Sequence, residues 1–309
     1  MDRLLANYDR KINPQQMLIK GFECGREIIG ESLVDFWATW SIIKCLTIQS
    51  GYHDLCFNMK RTNDMTPLKV DLHIHTKEDR ADRISYSARE LIDEGVLRGF
   101  DALAVTNHDT LTFSHELASY AAERGVVLIP GVEACVKGKH ILLLNMPFEQ
   151  NYYRSFEDVQ QEKTSNSLVI APHPYFPGPT SLNGTLEAMP HLFDAVEYSC
   201  FRTPRIDFNR PAVRFAEKHG LSIVGNSDAH QLGQFGLTYS LVEAEKTLAG
   251  IVQAIKSGRV RPVSPGLPIS QLVKMFFGVL AAKPMSFTWM VDFILLSTAL
   301  ARRLFFRRL

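Results

Sequence analysis

Two histidines stand one residue apart directly after an apolar run, in "KVDLHIHT" at residues 69–76. In a β-strand alternate side chains point to the same face, so His73 and His75 project together from one strand end. Imidazole nitrogens are ligands for zinc, iron and related ions, and two on one face suit a single ion. The spacing therefore predicts metal chemistry at this strand end.

The same residue types recur beside later apolar runs. The sequence has His108 in "TNHDT", Glu133 in "PGVEA", His173 in "APHPY", and Asp228 with His230 in "NSDAH", whereas His140 in "GKHILLL" opens its run. Each residue alone is explained by a turn, a helix cap or a buried hydrogen bond. Their joint occurrence at successive strand ends predicts a shared metal site, because the C-terminal ends of parallel strands form one face of an α/β barrel.

The predicted ligands are imidazoles and carboxylates. This combination suits zinc, manganese or iron, and the lack of a nearby thiolate pair argues against a purely structural zinc site. The set is large enough for more than one ion, with Glu133 able to bridge two of them. Such clusters generate hydroxide from water near neutral pH and stabilise the attacking and leaving oxygens of an in-line displacement. The predicted reaction is hydrolysis, most naturally of a phosphoester.

The elements that must position these residues are short apolar runs that alternate with amphipathic stretches. Seven strands are predicted at 68–74, 102–106, 126–130, 140–145, 168–172, 194–199 and 221–227, with helices at 87–99, 112–125 and 210–220. A further strand at 237–244 and a helix at 247–258 complete the domain. This alternation indicates βα units and an α/β barrel.

Composition limits the function and the compartment. The chain of 309 residues has 34 basic and 33 acidic residues, so no global charge attracts nucleic acid. Its five scattered cysteines include no CxxC pair, which favours a reducing compartment. Polar residues interrupt the N-terminus before a secretory signal could form. We therefore expect a cytoplasmic protein that acts on a small molecule and not on nucleic acid.

The two ends of the chain lack this alternation. Residues 1–67 are predicted to be an N-terminal extension of uncertain role, or to precede a true start at Met59 or Met65; the catalytic barrel is predicted at 68–262. Residues 263–309 are predicted to be a linker and an apolar helical tail with Arg302, Arg303, Arg307 and Arg308 at its end. Because Asp292 interrupts a stretch barely long enough to span a bilayer, we expect residues 270–309 to lie on an anionic membrane surface. A true span and a helix packed on protein are the alternatives.

The motifs resemble those of a known family. "DLHIHT", "TNHDT", "APHP" and "NSDAH", with "PGVE" and the histidine of "KHILLL" between them, are similar to the motifs of the polymerase and histidinol phosphatase (PHP) family of metal-dependent phosphoesterases. The resemblance implies a distorted (β/α)7 barrel with a trinuclear site of divalent manganese, iron or zinc ions. It implies that His73, His75, Glu133 and His173 bind a buried pair of ions, that Asp228 is shared in that cluster, and that His108 and His140 bind a third ion, with His230 completing the set.

One position departs from the family's pattern. The family usually has an aspartate five residues after the second histidine of the first motif, where this chain has Arg80. Asp79 or Asp82 must substitute as a metal ligand, and Asp82 is favoured because it keeps nearly the usual distance to the following helix. If neither binds, one ion would be held weakly.

The residues and the resemblance together predict hydrolysis of a small phosphomonoester or nucleotide by a metal-activated hydroxide, with Asp228, His230 and Glu133 in catalytic roles. Arg202 and Arg205 in "CFRTPRID" are predicted to bind phosphate oxygens, with a solvated loop as the alternative. A PHP-type nuclease, an amidohydrolase-like hydrolase and a catalytically weak metal-binding module attached to a membrane are the other functions that stay open.

Overall fold

The structure is a computed structural model that describes residues 66–148, 153–203 and 207–267. The described strands are β1 Leu68–Ile74, β2 Ala102–Val105, β3 Val127–Val136, β4 Lys139–Leu144, β5 Leu168–Ala171, β6 Ala195–Tyr198, β7 Ser222–Gly225, β8 Tyr239–Val242 and β9 Val260–Val263. The described helices are α1 Ala88–Leu97, α2 His115–Glu123, α3 Phe156–Glu162, α4 Gly184–Ala188, α5 Arg210–His219 and α6 Leu248–Lys256, with a 3₁₀ turn at Pro190–Leu192.

The strands form one sheet in the order β7-β6-β5-β4-β3-β2-β1-β8-β9. Strands β1 to β3 pair in parallel, as do β5 to β7, while β4 is antiparallel to both of its neighbours. β8 is antiparallel to β1 and to β9. The sheet curls into a nearly closed barrel, so the predicted α/β class is confirmed.

The seam of the barrel lies between β7 and the β8/β9 pair. Here a Cβ on Gly225 would lie only 2.6 Å from the carbonyl oxygen of Tyr239 and 3.0 Å from Cβ of Pro262. Because no side chain fits in this space, glycine is required for the two ends of the sheet to approach.

The predicted count of seven strands is not confirmed. Nine strands are described, and the sequence does not predict β9, because Arg261 and Pro262 interrupt its short apolar run. β3 is also longer than predicted and forms a hairpin with β4, so no helix separates these two strands.

The helices begin where the sequence supplies caps, and they cover the sheet with apolar side chains. Ser87, Ser114 and Thr247 each accept a hydrogen bond from a backbone N–H of the helix that follows. α5 ends at Gly220, whose φ of 67° is in the left-handed region that glycine adopts readily. Apolar residues of α1, α2, α5 and α6 pack in three clusters against the strands. This packing fixes the strand ends from which the predicted ligands project.

Candidate metal centre

The predicted ligands gather at the edge of the sheet where the parallel strands end. His73 lies in β1, and the remaining motif residues at this edge follow strands directly: His75 after β1, His108 after β2, His173 after β5, and Asp228 and His230 after β7. Backbone hydrogen bonds join the first and last motifs, since Asp228 N donates to the His73 carbonyl at 2.9 Å and His75 N donates to the Ala229 carbonyl at 3.1 Å.

Glu133 and His140 reach the same edge through the β3/β4 hairpin. β3 continues beyond the end of β2, so Glu133 lies inside the strand and pairs across a bridge with His108. β4 runs antiparallel, so its first residues lie at the edge where the parallel strands end, with His140 opposite Cys135. The reversal of β4 explains why this histidine opens its strand in the sequence and still reaches the cluster.

Four side-chain atoms form one group: His73 Nε2 and His75 Nε2, with the carboxylate oxygens Glu133 Oε2 and Asp228 Oδ1 beside both of them. Each histidine nitrogen lies 3.2–3.4 Å from the other three atoms. Ligands at about 2.0–2.1 Å from a tetrahedral ion are separated from one another by about 3.3–3.4 Å. The two nitrogens lie at such separations from each other and from each oxygen, and His73, His75 and Glu133 form a group able to hold a divalent ion.

Two carboxylates orient the imidazoles of this group. His73 Nδ1 donates to Glu197 Oε1 at 2.9 Å, and His75 Nδ1 donates to Asp79 Oδ2 at 2.9 Å. When each imidazole is neutral, its proton is on Nδ1. The lone pair of Nε2 then faces the other three atoms of the four-atom group. Two lone pairs only 3.2 Å apart repel each other, and a cation between them removes that repulsion.

Glu133 lies at the centre of the whole cluster. Its Oε2 is 3.1 Å from His108 Nε2 in addition to its contacts with His73 and His75. Its Oε1 is 2.8 Å from His140 Nδ1 and 3.2 Å from His173 Nε2. Because the two oxygens face different histidines, this carboxylate is placed to bridge two ions.

Asp79 and Asp82 make different contacts with the histidines. Asp79 Oδ2 accepts from His75 Nδ1 and from both N and Nδ1 of His108, all at 2.9 Å, and its Oδ1 accepts from two backbone N–H groups. Asp82 Oδ2 lies 2.9 Å from His230 Nε2 and 4.0 Å from His108 Nδ1. Asp82 thus lies beside His230, and Asp79 orients the imidazoles of His75 and His108; which of the two carboxylates binds an ion stays a prediction.

This difference leads to a prediction. Asp82→Asn is expected to remove the ion between His108 and His230, because a neutral amide oxygen is a poor substitute for a carboxylate ligand. Asp79→Asn is expected to keep every ion but to weaken binding about 10–100-fold, the effect of losing a partner of a ligating histidine. Elemental analysis at saturating and at limiting manganese separates the two outcomes. The opposite pattern would show that Asp79 is the ligand.

In this cluster, the attraction between imidazoles and carboxylates shifts the pKa values of both in the direction opposite to the effect of burial. Desolvation would lower the pKa values of His73 and His75, but the carboxylates around them, with Asp228 foremost, hold these values well above the ordinary one. Desolvation would raise the pKa values of Glu133 and Asp228, but the surrounding imidazoles hold both below their usual range. These carboxylates are therefore ionised at neutral pH, and either protonated imidazoles or bound cations compensate their buried charge.

Backbone conformation at two predicted ligands is also unusual. His173 has φ of 28° and Asp228 has φ of 47°, values that residues other than glycine rarely adopt. Nδ1 of His173 is buried and has no hydrogen-bond partner among the described residues. Strained residues and unsatisfied buried polar atoms are concentrated at functional sites.

Sequence reasoning missed two buried acids next to the predicted ligands. Glu197 of β6 contacts His73, and Asp71 Oδ1 accepts from the backbone N–H groups of His73 and Ser227. Burial raises the pKa of Asp71 to about 7. Both acids lie inside apolar strand sequences, where charged residues are rarely buried without a partner. That position is the signal that could have identified them.

The predicted substrate-binding arginines remain a prediction. The Arg202 guanidinium donates to the Ser264 carbonyl at 3.1 Å and lies 3.9 Å from Asp207 Oδ2, while Arg205 lies outside the described residues. The tail from residue 268 and nearly all of the predicted N-terminal extension also lie outside them. Within the described ranges, no helix is both long and apolar enough to cross a bilayer.

The fold is an α/β barrel whose edge carries groups of histidines and carboxylates that could hold metal ions. A sequence profile of a family described as PHP-associated matches residues 207–260. An uncharacterized protein of Methanocaldococcus jannaschii is 28% identical over 120 residues, which are 36% of this chain and 70% of that protein.

The chain is also similar to solved structures. A two-domain protein of Bacteroides vulgatus that contains a predicted PHP-like metal-dependent phosphoesterase superposes with a TM-score of 0.52 at 20% identity, over 70% of each chain. PsfC of Pseudomonas syringae superposes with a TM-score of 0.47 at 19% identity, over 68% of this chain and 96% of its own. The profile match confirms the resemblance to the PHP family over residues 207–260, and the Bacteroides protein shares the fold.

Proposed function

We propose that the protein is a metal-dependent phosphoesterase that hydrolyses a small phosphomonoester or nucleotide. The observation that carries the proposal is the grouping of His73 and His75 with Glu133 and Asp228, in which each histidine nitrogen lies 3.2–3.4 Å from the other three atoms. Divalent ions bound there would supply hydroxide from water near neutral pH and neutralise charge on phosphate oxygens.

The predicted ligands differ in solvent exposure, and this difference indicates the side from which a substrate would reach them. The side chains of His73 and His75 are fully buried, whereas those of Asp228, His108, and His140 are 11–14% exposed. A phosphate group would therefore reach the cluster from the partly exposed side. Asp228 and His230 are the groups we propose to move protons there, since Asp228 Oδ1 and His230 Nδ1 are 3.6 Å apart beside the histidine pair.

A small ester is favoured over a nucleic-acid strand. The net charge of +1 provides little long-range attraction to a polyanion, whereas nucleic-acid binding normally depends on many phosphate contacts from lysine and arginine.

The test is a substrate screen of the purified full-length protein with added manganese or zinc. We expect phosphate release from p-nitrophenyl phosphate and from at least one phosphomonoester or nucleotide, loss of that activity on chelation, and recovery when metal is restored. Hydrolysis of amides or lactones without phosphate release would contradict the proposal in favour of an amidohydrolase. Release of nucleotides from oligonucleotides alone would contradict it in favour of a nuclease.

We also propose that residues 270–309 attach the protein to an anionic membrane surface. The described chain ends at Leu267, whose N–H donates to the Arg202 carbonyl at 2.9 Å and whose side chain packs against Phe201 and Phe208. The barrel is thus packed and closed before the tail begins, so removal of the tail is not expected to disturb the metal centre.

Deletion of residues 270–309 is expected to move the protein from the membrane fraction to the soluble fraction with unchanged hydrolysis of a soluble ester. As a matched variant, the full chain with Arg302, Arg303, Arg307 and Arg308 all replaced by Gln should lose about 1 kcal/mol of vesicle binding per arginine. Fractionation and binding to vesicles that contain phosphatidylserine measure the two effects. Unchanged fractionation of the deletion variant would disprove the attachment.

A further inference from the structure

Glu197 is a fully buried acid in the middle of β6. Its carboxylate accepts three hydrogen bonds: Oε1 from His73 Nδ1 and from Asn226 Nδ2, both at 2.9 Å, and Oε2 from the backbone N–H of His173 at 2.7 Å. Burying a charged group without such partners is costly, and three donors compensate that cost. The side chain is thus held in place by groups from three other parts of the barrel.

The three partners belong to motifs on separate strands, and His73 and His173 are themselves predicted metal ligands. His73 is the penultimate residue of β1, His173 follows β5, and Asn226 follows β7 and also accepts a hydrogen bond from the Leu72 N–H at 3.0 Å. Through one carboxylate, β6 therefore connects the first, third and fourth motifs of the cluster. Asp79 makes the corresponding contact with His75, but it lies only four residues further along the chain.

The Glu197 carboxylate affects two features of the predicted ligands: the orientation and basicity of the His73 ring, and the backbone conformation of His173. The bond to Nδ1 directs the Nε2 lone pair of His73 at the four-atom group, and a carboxylate partner raises the basicity of an imidazole ligand. The bond from the His173 backbone N–H acts at a residue whose φ is 28°, a conformation that persists only where the surroundings enforce it.

We propose that Glu197 is a positioning residue that sets the metal affinity of the centre through His73 and His173. The inference rests on the metal centre of the proposed function and assigns Glu197 no contact with substrate. It predicts an effect on metal binding that is separate from any effect on the fold.

Glu197→Gln tests the proposal because the amide has nearly the same shape but only one acceptor oxygen. Its NH₂ group must face either the His173 N–H or the donors of His73 and Asn226, so at least one hydrogen bond is lost. We expect the dissociation constants for zinc or manganese, measured by competition with a chromogenic chelator, to rise about 10–100-fold. Glu217→Gln, at an exposed position of α5, is the matched control and should bind metal as the wild type does.

A purely structural role would lower the melting temperature of the metal-free protein and leave the affinity of the folded protein unchanged. A folded Glu197→Gln variant with wild-type dissociation constants would therefore overturn the proposal. Failure of the wild type to bind metal would contradict the proposed function and this inference together, so the two failures are distinguishable.

A second measurement needs no variant. In the zinc-bound wild type labelled with ¹⁵N-histidine, NMR should show the His73 ring proton on Nδ1, where Glu197 accepts it. A proton on Nε2 would overturn the proposal even if Glu197→Gln did not fold.

Discussion

Asp228→Ala is expected to abolish phosphoester hydrolysis while the fold stays largely intact. The substitution removes a carboxylate oxygen 3.4 Å from both His73 Nε2 and His75 Nε2, so the four-atom group loses one of its ligands. The backbone bond from residue 228 to the His73 carbonyl is retained, because it does not depend on the side chain. We expect kcat to fall at least about 10²–10³-fold, the usual effect of removing one preorganised charge-stabilising contact.

Controls separate the loss of the ligand from a change in the backbone. Residue 228 has φ of 47°, which alanine tolerates less well than aspartate or asparagine. Asp228→Asn keeps that tolerance, so it should have wild-type thermal stability and the same loss of activity. His75→Ala should be equally inactive because it removes a second ligand of the same group. Full turnover by any of these purified variants would count against the assignment of the site.

Glu133→Gln is expected to cause the largest loss of bound metal. The carboxylate lies within 3.4 Å of imidazole nitrogens of five histidines, and its two oxygens face different ones. The amide has one acceptor oxygen and one NH₂ group, so it cannot bridge two cations. We expect the loss of about two ions per chain, as for the removal of the shared ligand of a two-metal site.

Elemental analysis of Glu133→Gln beside the control Glu217→Gln measures this loss directly. The same samples should be compared by thermal unfolding with and without chelator. We expect the wild type and the control to be stabilised by metal and Glu133→Gln to show little response, since binding to the native state stabilises it by mass action. A metal content equal to that of the wild type would show that Glu133 is not a bridging ligand.

The clustering of the residues at strand ends could be predicted from the sequence, because parallel strands place their C-terminal ends at one edge of the sheet. That rule brings together His73, His75, His108, His173 and the "NSDAH" motif, and the structure places them at one edge. Their roles as ligands stay a prediction, since spatial convergence shows only that they are able to bind a common ion.

Other features depend on contacts between residues that are far apart in the sequence, and local sequence patterns do not indicate such contacts. The reversal of β4, which brings His140 to the cluster, follows from its pairing with β3 and β5 and not from its own apolar pattern. Glu197 contacts a histidine 124 residues away, and nothing in "DAVEYS" indicates that partner. The different contacts of Asp79 and Asp82 likewise depend on the positions of His108 and His230.

The metal content of the purified wild-type chain tests the central claim most directly. If the histidines and carboxylates at the barrel edge form a multinuclear centre, elemental analysis of protein prepared without chelator should find more than a single divalent ion per chain, and these ions should be lost together on chelation. A chain that is folded and free of bound metal, even after exposure to manganese, zinc and iron, would contradict the account.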